Sequence, residues 1–259
     1  MLSADYHNHP QAHRTDLPYS ESVLQPWADK AKKVGLKDLA LTDHDRYKAG
    51  VDFNEVKKLQ ERNPEIKIRA GIELDNDPET SSDGRKWVEK HWDDLDFVLG
   101  SVHFVKDFPF DHPNFIAEYD KYDINDLYRE YYKEIQRIAQ SGLVNSMAHL
   151  DLIKIFKFFP TDDMTELYDE TLDVIKSQDL SMEISTAGFR KPIGEQYPSY
   201  QLIKMAKEKG ITFTIASDAH AAKDLTHNYD KLEKILKDFE INEVAVFEKH
   251  KRSMIPAFC

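Results

Sequence analysis

Two short patterns in this 259-residue chain set metal-ligand residues two positions apart, His7-Asn8-His9 and Asp218-Ala219-His220. On an extended strand residues i and i+2 point to the same face, so each pair can serve one site. Both patterns close an apolar run, Ser3–Tyr6 and Ile211–Ser217 respectively. Four further runs end the same way: Leu39-Ala40-Leu41 leads into Thr42-Asp43-His44, Ile66–Ile72 into Glu73, Phe97–Val102 into His103, and Leu143–Ala148 into His149. His13 follows closely behind the first pair. Active-site residues collect at the C-terminal ends of barrel strands. The six endings therefore predict a polynuclear metal site at one end of a barrel of parallel strands. Imidazole suits Zn, Fe(II) and Mn, and a bridging carboxylate holds two divalent ions close together. Such a pair lowers the pKa of a shared water to near neutrality, presents hydroxide as nucleophile and clamps an anionic substrate. That is the chemistry of phosphate-ester hydrolysis. An arginine facing the metals would hold the remaining phosphate oxygens in a bidentate grip, and Arg190 has the loop position for it.

Helical patterns alternate with these runs. Glu21–Val34 carries apolar residues at helical spacing and ends at Gly35, while Val51–Arg62 closes at Asn63-Pro64. Helices are also predicted over Ile124–Gln140, Met164–Lys176, Ser199–Lys209 and Tyr229–Phe239. Leu180–Ile184 supplies a sixth strand, for seven candidates in all, and Glu243–Phe247 is placed to close or flank the barrel. Strands alternating with helices imply a parallel sheet, and the length fits one α/β domain over residues 1–259. Two segments look like loops built for function. Lys106–Glu118 is aromatic and proline-rich and directly follows His103; it is expected to wall the metal end with Asp107, Phe108, Phe110, Asp111 and His112. Ser185–Pro198 follows the sixth strand and carries Arg190-Lys191, a basic pair expected to bind substrate. Four of the eleven histidines, His91, His112, His227 and His250, lie off the strand ends and read as surface or structural residues, with His112 the best substrate contact among them.

Composition narrows the function classes. The only cysteine is Cys259, which excludes a disulfide within the chain and a cysteine-based zinc site. A reducing cytoplasm is the expected location. No apolar run approaches a membrane span, and Met1–Asp5 does not open a signal peptide. The net charge of −12 argues against broad contact with nucleic-acid phosphates. The expected partner is a small phosphate ester.

The series His7-x-His9, Thr42-Asp43-His44, Gly71-Ile72-Glu73, Gly100-Ser101-Val102-His103, His149-Leu150-Asp151-Leu152 and Ser217-Asp218-Ala219-His220 resembles the polymerase-and-histidinol-phosphatase (PHP) family. The resemblance runs from the first strand to about residue 235. Residues 100–104, 149–154 and 183–192 are similar to the histidinol-phosphate phosphatase branch. The resemblance implies a PHP-type, TIM-like fold, a distorted seven-stranded β/α barrel, around two to three divalent ions (Zn, Mn or Fe). It implies that His7, His9, Glu73 and Asp218 hold the first ion, that Glu73 bridges to a second held with His103 and His149, and that His13, His44 and His220 hold the third. Asp218 would accept or shuttle the proton of the attacking hydroxide, with His220 beside it, and Arg190 would bind phosphate. The implied activity is hydrolysis of L-histidinol phosphate to L-histidinol in histidine biosynthesis. The alternatives are a PHP phosphoesterase acting on another small ester and a non-catalytic metal-binding protein. An amidohydrolase would need a bridging lysine where this chain offers Glu73 and His103. A DNA-processing role lacks a basic groove.

Overall fold

The computed structural model describes residues 1–259. Seven parallel strands pair in sequence order: β1 (Ala4–Asp5), β2 (Asp38–Leu41), β3 (Lys67–Leu74), β4 (Phe97–Gly100), β5 (Ser146–Met147), β6 (Ser181–Ser185) and β7 (Phe213–Ala216). The ring closes where β1 returns to β7. Tyr6 N donates to Ile215 O at 2.9 Å and His9 N to Ala219 O at 2.8 Å. The expected TIM-like barrel of seven strands is therefore present, and it is distorted because β1 and β5 are only two residues long. Every residue of β2, β4, β6 and β7 is buried, as parallel strands covered on both faces must be.

Six of the seven helices lie where periodicity puts them: α1 (Glu21–Lys33), α2 (Phe53–Arg62), α4 (Ile124–Ala139), α5 (Thr165–Ser177), α6 (Tyr200–Glu208) and α7 (Tyr229–Asp238). Asp52 caps α2 by accepting from Asn54 N and Glu55 N, and Asp123 caps α4 by accepting from Asp126 N. Such caps satisfy amide donors that have no partner within the helix. The remaining helix, α3 (Ser81–Lys90), has no apolar stripe to announce it. Its buried positions are Ser81, Gly84 and Val88, helically spaced but mostly small.

Glu243–Glu248 (β8) does not join the barrel. It pairs antiparallel with Lys251–Pro256 (β9), and this hairpin covers the N-terminal ends of the strands. Tyr6 packs edge-on against Phe97 at the start of β4, its hydroxyl donates to Asp38 at the start of β2, and it accepts from Phe247 N. One mouth is thereby plugged, and one continuous hydrophobic core runs from Leu2 to Ala257. The strand C-terminal ends form the other mouth. No helix is long and apolar enough to cross a membrane.

Candidate metal centre

All nine sequence-predicted ligands converge at the open mouth. Beyond β1 the chain stays extended, and the rings of His7 and His9 lie 4.8 Å apart on one side, as their spacing requires. The same argument fails for Asp218-x-His220. Asp218 has φ 52° and His13 has φ 62°, in the left-handed region where a non-glycine residue is strained; such strain gathers at functional sites. The turn still brings Asp218 Oδ1 to 3.2 Å from His9 Nε2 and 3.8 Å from His7 Nε2.

Glu73, near the end of β3 and fully buried, is the hub. Its Oε2 lies 2.9 Å from His44 Nδ1, 3.1 Å from His7 Nε2 and 3.5 Å from His9 Nε2. Its Oε1 lies 3.3 Å from His149 Nε2 and 3.8 Å from His103 Nε2. One carboxylate thus faces two groups of imidazoles with different oxygens, as a bridging ligand does. A further group sits at the rim, where His13 Nε2 is 2.7 Å from His220 Nε2 and 3.1 Å from His44 Nε2.

The donors fit metal ions. A tetrahedral zinc with bonds of about 2.1 Å sets its nitrogen ligands roughly 3.4 Å apart, and the spacings above bracket that value. His7 Nε2, His9 Nε2 and Glu73 Oε2 are buried with no hydrogen-bond partner, an arrangement that costs free energy unless a cation fills it. Burial, assisted by neighbouring imidazoles, depresses His9 to about 3 and His13, His44 and His220 to about 4. These rings are therefore neutral and offer lone pairs. Burial also works against charge on His7, but Glu183, Glu73 and Asp218 overcome it and raise its pKa. The surrounding histidines hold Glu73 and Asp218 well below the usual carboxylate range despite their burial.

Behind the ligands stand two carboxylates with no role assigned from sequence. Glu183 on β6 is fully buried; its Oε2 lies 2.9 Å from His7 Nδ1 and its Oε1 accepts from His149 N at 3.2 Å. Asp75 Oδ1 lies 3.0 Å from His103 Nδ1, and its Oδ2 accepts from Arg46 Nη2. A carboxylate on the outer nitrogen fixes a ligating ring's orientation and raises its basicity. The signal for Asp75 was available, since it repeats the ligand-x-ligand spacing from Glu73.

Residues 5–187 match the PHP domain family. The chain belongs to the PHP family. Similar proteins include a probable histidinol-phosphatase of Deinococcus radiodurans, 34% identical over 85% of this chain and 88% of that one. They also include the histidinol-phosphatase of Lactococcus lactis, 28% identical over 98% of this chain and 99% of that one. Among solved structures, histidinol phosphate phosphatase from Lactococcus lactis, complexed with zinc, L-histidinol and phosphate, superposes with a TM-score of 0.77. That match has 24% identity and covers 97% of this chain and 99% of the other.

The walls of the PHP site depart from two expectations. Arg190 does not line the cavity. Its Nη2 donates to Ser217 O at 2.6 Å and Asp218 O at 3.0 Å, and its Nη1 is buried without a partner. Lys191, exposed, does reach the cavity. The aromatic loop is also turned differently. Phe108 stacks on Tyr122 and Phe110 packs edge-on against Tyr131 in the core, while Asp107 faces solvent; only Asp111 and His112 of the expected wall residues line the cavity. Apolar side chains gain more from core burial than from walling a wet site. The cavity holds about 320 Å³ above Glu73, with Tyr197, Leu152 and Ile155 on its far side. The loop bearing Arg190 is pinned at its base by paired hydrogen bonds between Ser185 and Tyr197. It is anchored outside by Lys154, buried between Asp151 (2.9 Å) and Glu195 (2.6 Å). Gly188 is obligatory there, because a Cβ would meet Glu195 O at 2.1 Å. His91, His227 and His250 lie away from the cavity; His250 stacks on Trp92.

Proposed function

We propose that this PHP-family chain is a metal-dependent phosphomonoesterase that hydrolyses L-histidinol phosphate to L-histidinol and phosphate, a step of histidine biosynthesis. The observation that carries the reading is Glu73, a buried carboxylate facing imidazoles with both oxygens on the floor of an open cavity. The family membership and the relatives named histidinol-phosphatase support the substrate. His7, His9, His13, His44, Glu73, His103, His149, Asp218 and His220 would hold two to three divalent ions of Zn, Mn or Fe. When bound, these ions would acidify water and neutralise phosphate charge. The water oxygen forms the new bond to phosphorus as the ester oxygen leaves and takes up a proton from solvent. Asp218, ionised and at the cavity edge, accepts the proton of the attacking water and passes it to solvent, and His220 beside it helps to hold the rim ion. Lys191 meets phosphate oxygens directly. Arg190 steadies the Asp218 turn through two carbonyls and keeps one N–H pair free for phosphate. One domain over residues 1–259 would suffice, and the single cysteine suits a cytoplasmic setting.

The test is a panel of phosphomonoesters assayed for phosphate release with Mn, Zn or Fe(II). L-Histidinol phosphate is expected to give the highest kcat/KM. A higher value on a sugar phosphate or a nucleotide would leave a PHP phosphoesterase of another specificity.

A further inference from the structure

Three carboxylates line the cavity: Glu73, Asp218 and Asp111. The first two are engaged by imidazoles. Asp111 takes part in no ion pair or side-chain hydrogen bond, while the nearby cation Arg46 and His103 both turn to Asp75. The position of Asp111 is nevertheless fixed. On one side Phe110 is fully buried against Tyr131, and its carbonyl accepts from the Tyr119 hydroxyl at 3.1 Å. On the other side His112 N closes a turn onto Pro109 O, and the His112 ring caps the short helix Pro113–Lys121. A free carboxylate is thus held on a pinned turn in the cavity that His103, His149 and Lys191 also line, with the apolar residues Phe104, Leu152 and Ile155.

Such a surface suits the alcohol portion of a substrate that joins a cation to a flat apolar group. We propose that Asp111 is the specificity-determining receptor for the substrate's ammonium group and sets the preference for aminoalkyl phosphates over uncharged esters. This rests on the histidinol-phosphate reading and deepens it. A charge-assisted hydrogen bond accounts for roughly a 10- to 150-fold preference.

The test compares the metal-loaded enzyme with Asp111→Asn on three esters: L-histidinol phosphate, its desamino counterpart 3-(imidazol-4-yl)propyl phosphate, and p-nitrophenyl phosphate. The substitution keeps shape and removes charge. Asp111→Asn is expected to lose roughly 10- to 150-fold in kcat/KM on L-histidinol phosphate, with little change on the other two esters or in metal content. Calorimetric binding of L-histidinol in the presence of phosphate should weaken in parallel, and binding of phosphate alone should not. Equal loss on both imidazole esters with p-nitrophenyl phosphate spared would make Asp111 the leaving-group acid and overturn the proposal. Equal loss on all three would make it a support of the metal centre and would overturn the proposal too. A wild-type preference for the amine that survives the substitution refutes the role of Asp111 alone. A wild-type enzyme indifferent to the amine refutes the substrate reading as well.

Discussion

Glu183→Gln isolates one of the two carboxylates behind the ligands. Glu183 accepts at both oxygens, from His149 N at 3.2 Å and, on the other side, from the His7 ring at 2.9 Å. Glutamine has the same size but one acceptor and one NH2. Whichever way the amide turns, one of the two N–H groups must face another N–H. The site is fully buried, so water cannot repair the mismatch, and a buried unsatisfied group costs about 1–3 kcal/mol. Loss of the partner behind a ligating histidine typically lowers metal affinity about 10- to 100-fold, or roughly 1.4–2.7 kcal/mol, which agrees with the hydrogen-bond figure. Competition with a chelator, read by elemental analysis, measures the affinity directly. Glu183→Gln should shift the competition midpoint by one to two decades, roughly. Activity should fall at limiting metal and recover substantially in excess metal. Wild-type affinity together with lost activity would refute the reasoning, because Glu183 would then act on chemistry rather than through His7.

Three other substitutions probe the walls. Arg190→Ala should lower kcat/KM about 10- to 100-fold for every phosphomonoester and also reduce metal occupancy, since the Asp218 carbonyl loses its donor; full occupancy would confine Arg190 to substrate. Lys154→Met strands Asp151 in the core without its cation and should cost about 3–5 kcal/mol in denaturant unfolding, with metal stoichiometry unchanged and KM raised as the 185–198 loop loosens. Phe110→Ala removes a ring with no solvent exposure and should cost about 3–5 kcal/mol in the same assay; a negligible cost would return this ring to the cavity wall.

The site was more legible in the sequence than its surroundings. Histidines and acids at strand ends were visible because a parallel barrel sends every such ending to one mouth, so linear order predicts spatial convergence. Glu183 was hidden because a lone acid inside an apolar strand gives no sign of which face it takes or which ring it meets. The side chain of Phe110 follows from where α4 packs, through Tyr131, and that of Phe108 from Tyr119 and Tyr122 ahead of α4, and local composition is silent on both. The left-handed turn at Asp218 likewise defeats an argument from strand alternation, although the residue reaches the same place. Helix α3 has no apolar stripe in the sequence because it packs through small side chains, and β9 has none because residues such as Arg252 and Met254 stay partly exposed.

The most direct test of the central claim is an activity titration. Chelator-stripped protein is titrated with Mn or Zn while phosphate release from L-histidinol phosphate is followed. Activity should be absent without metal and should reach its plateau at two to three equivalents per chain, the number that the donor groups around Glu73 and the His13 rim would hold. Full activity in the stripped protein, or a plateau at a single equivalent, would contradict the polynuclear site.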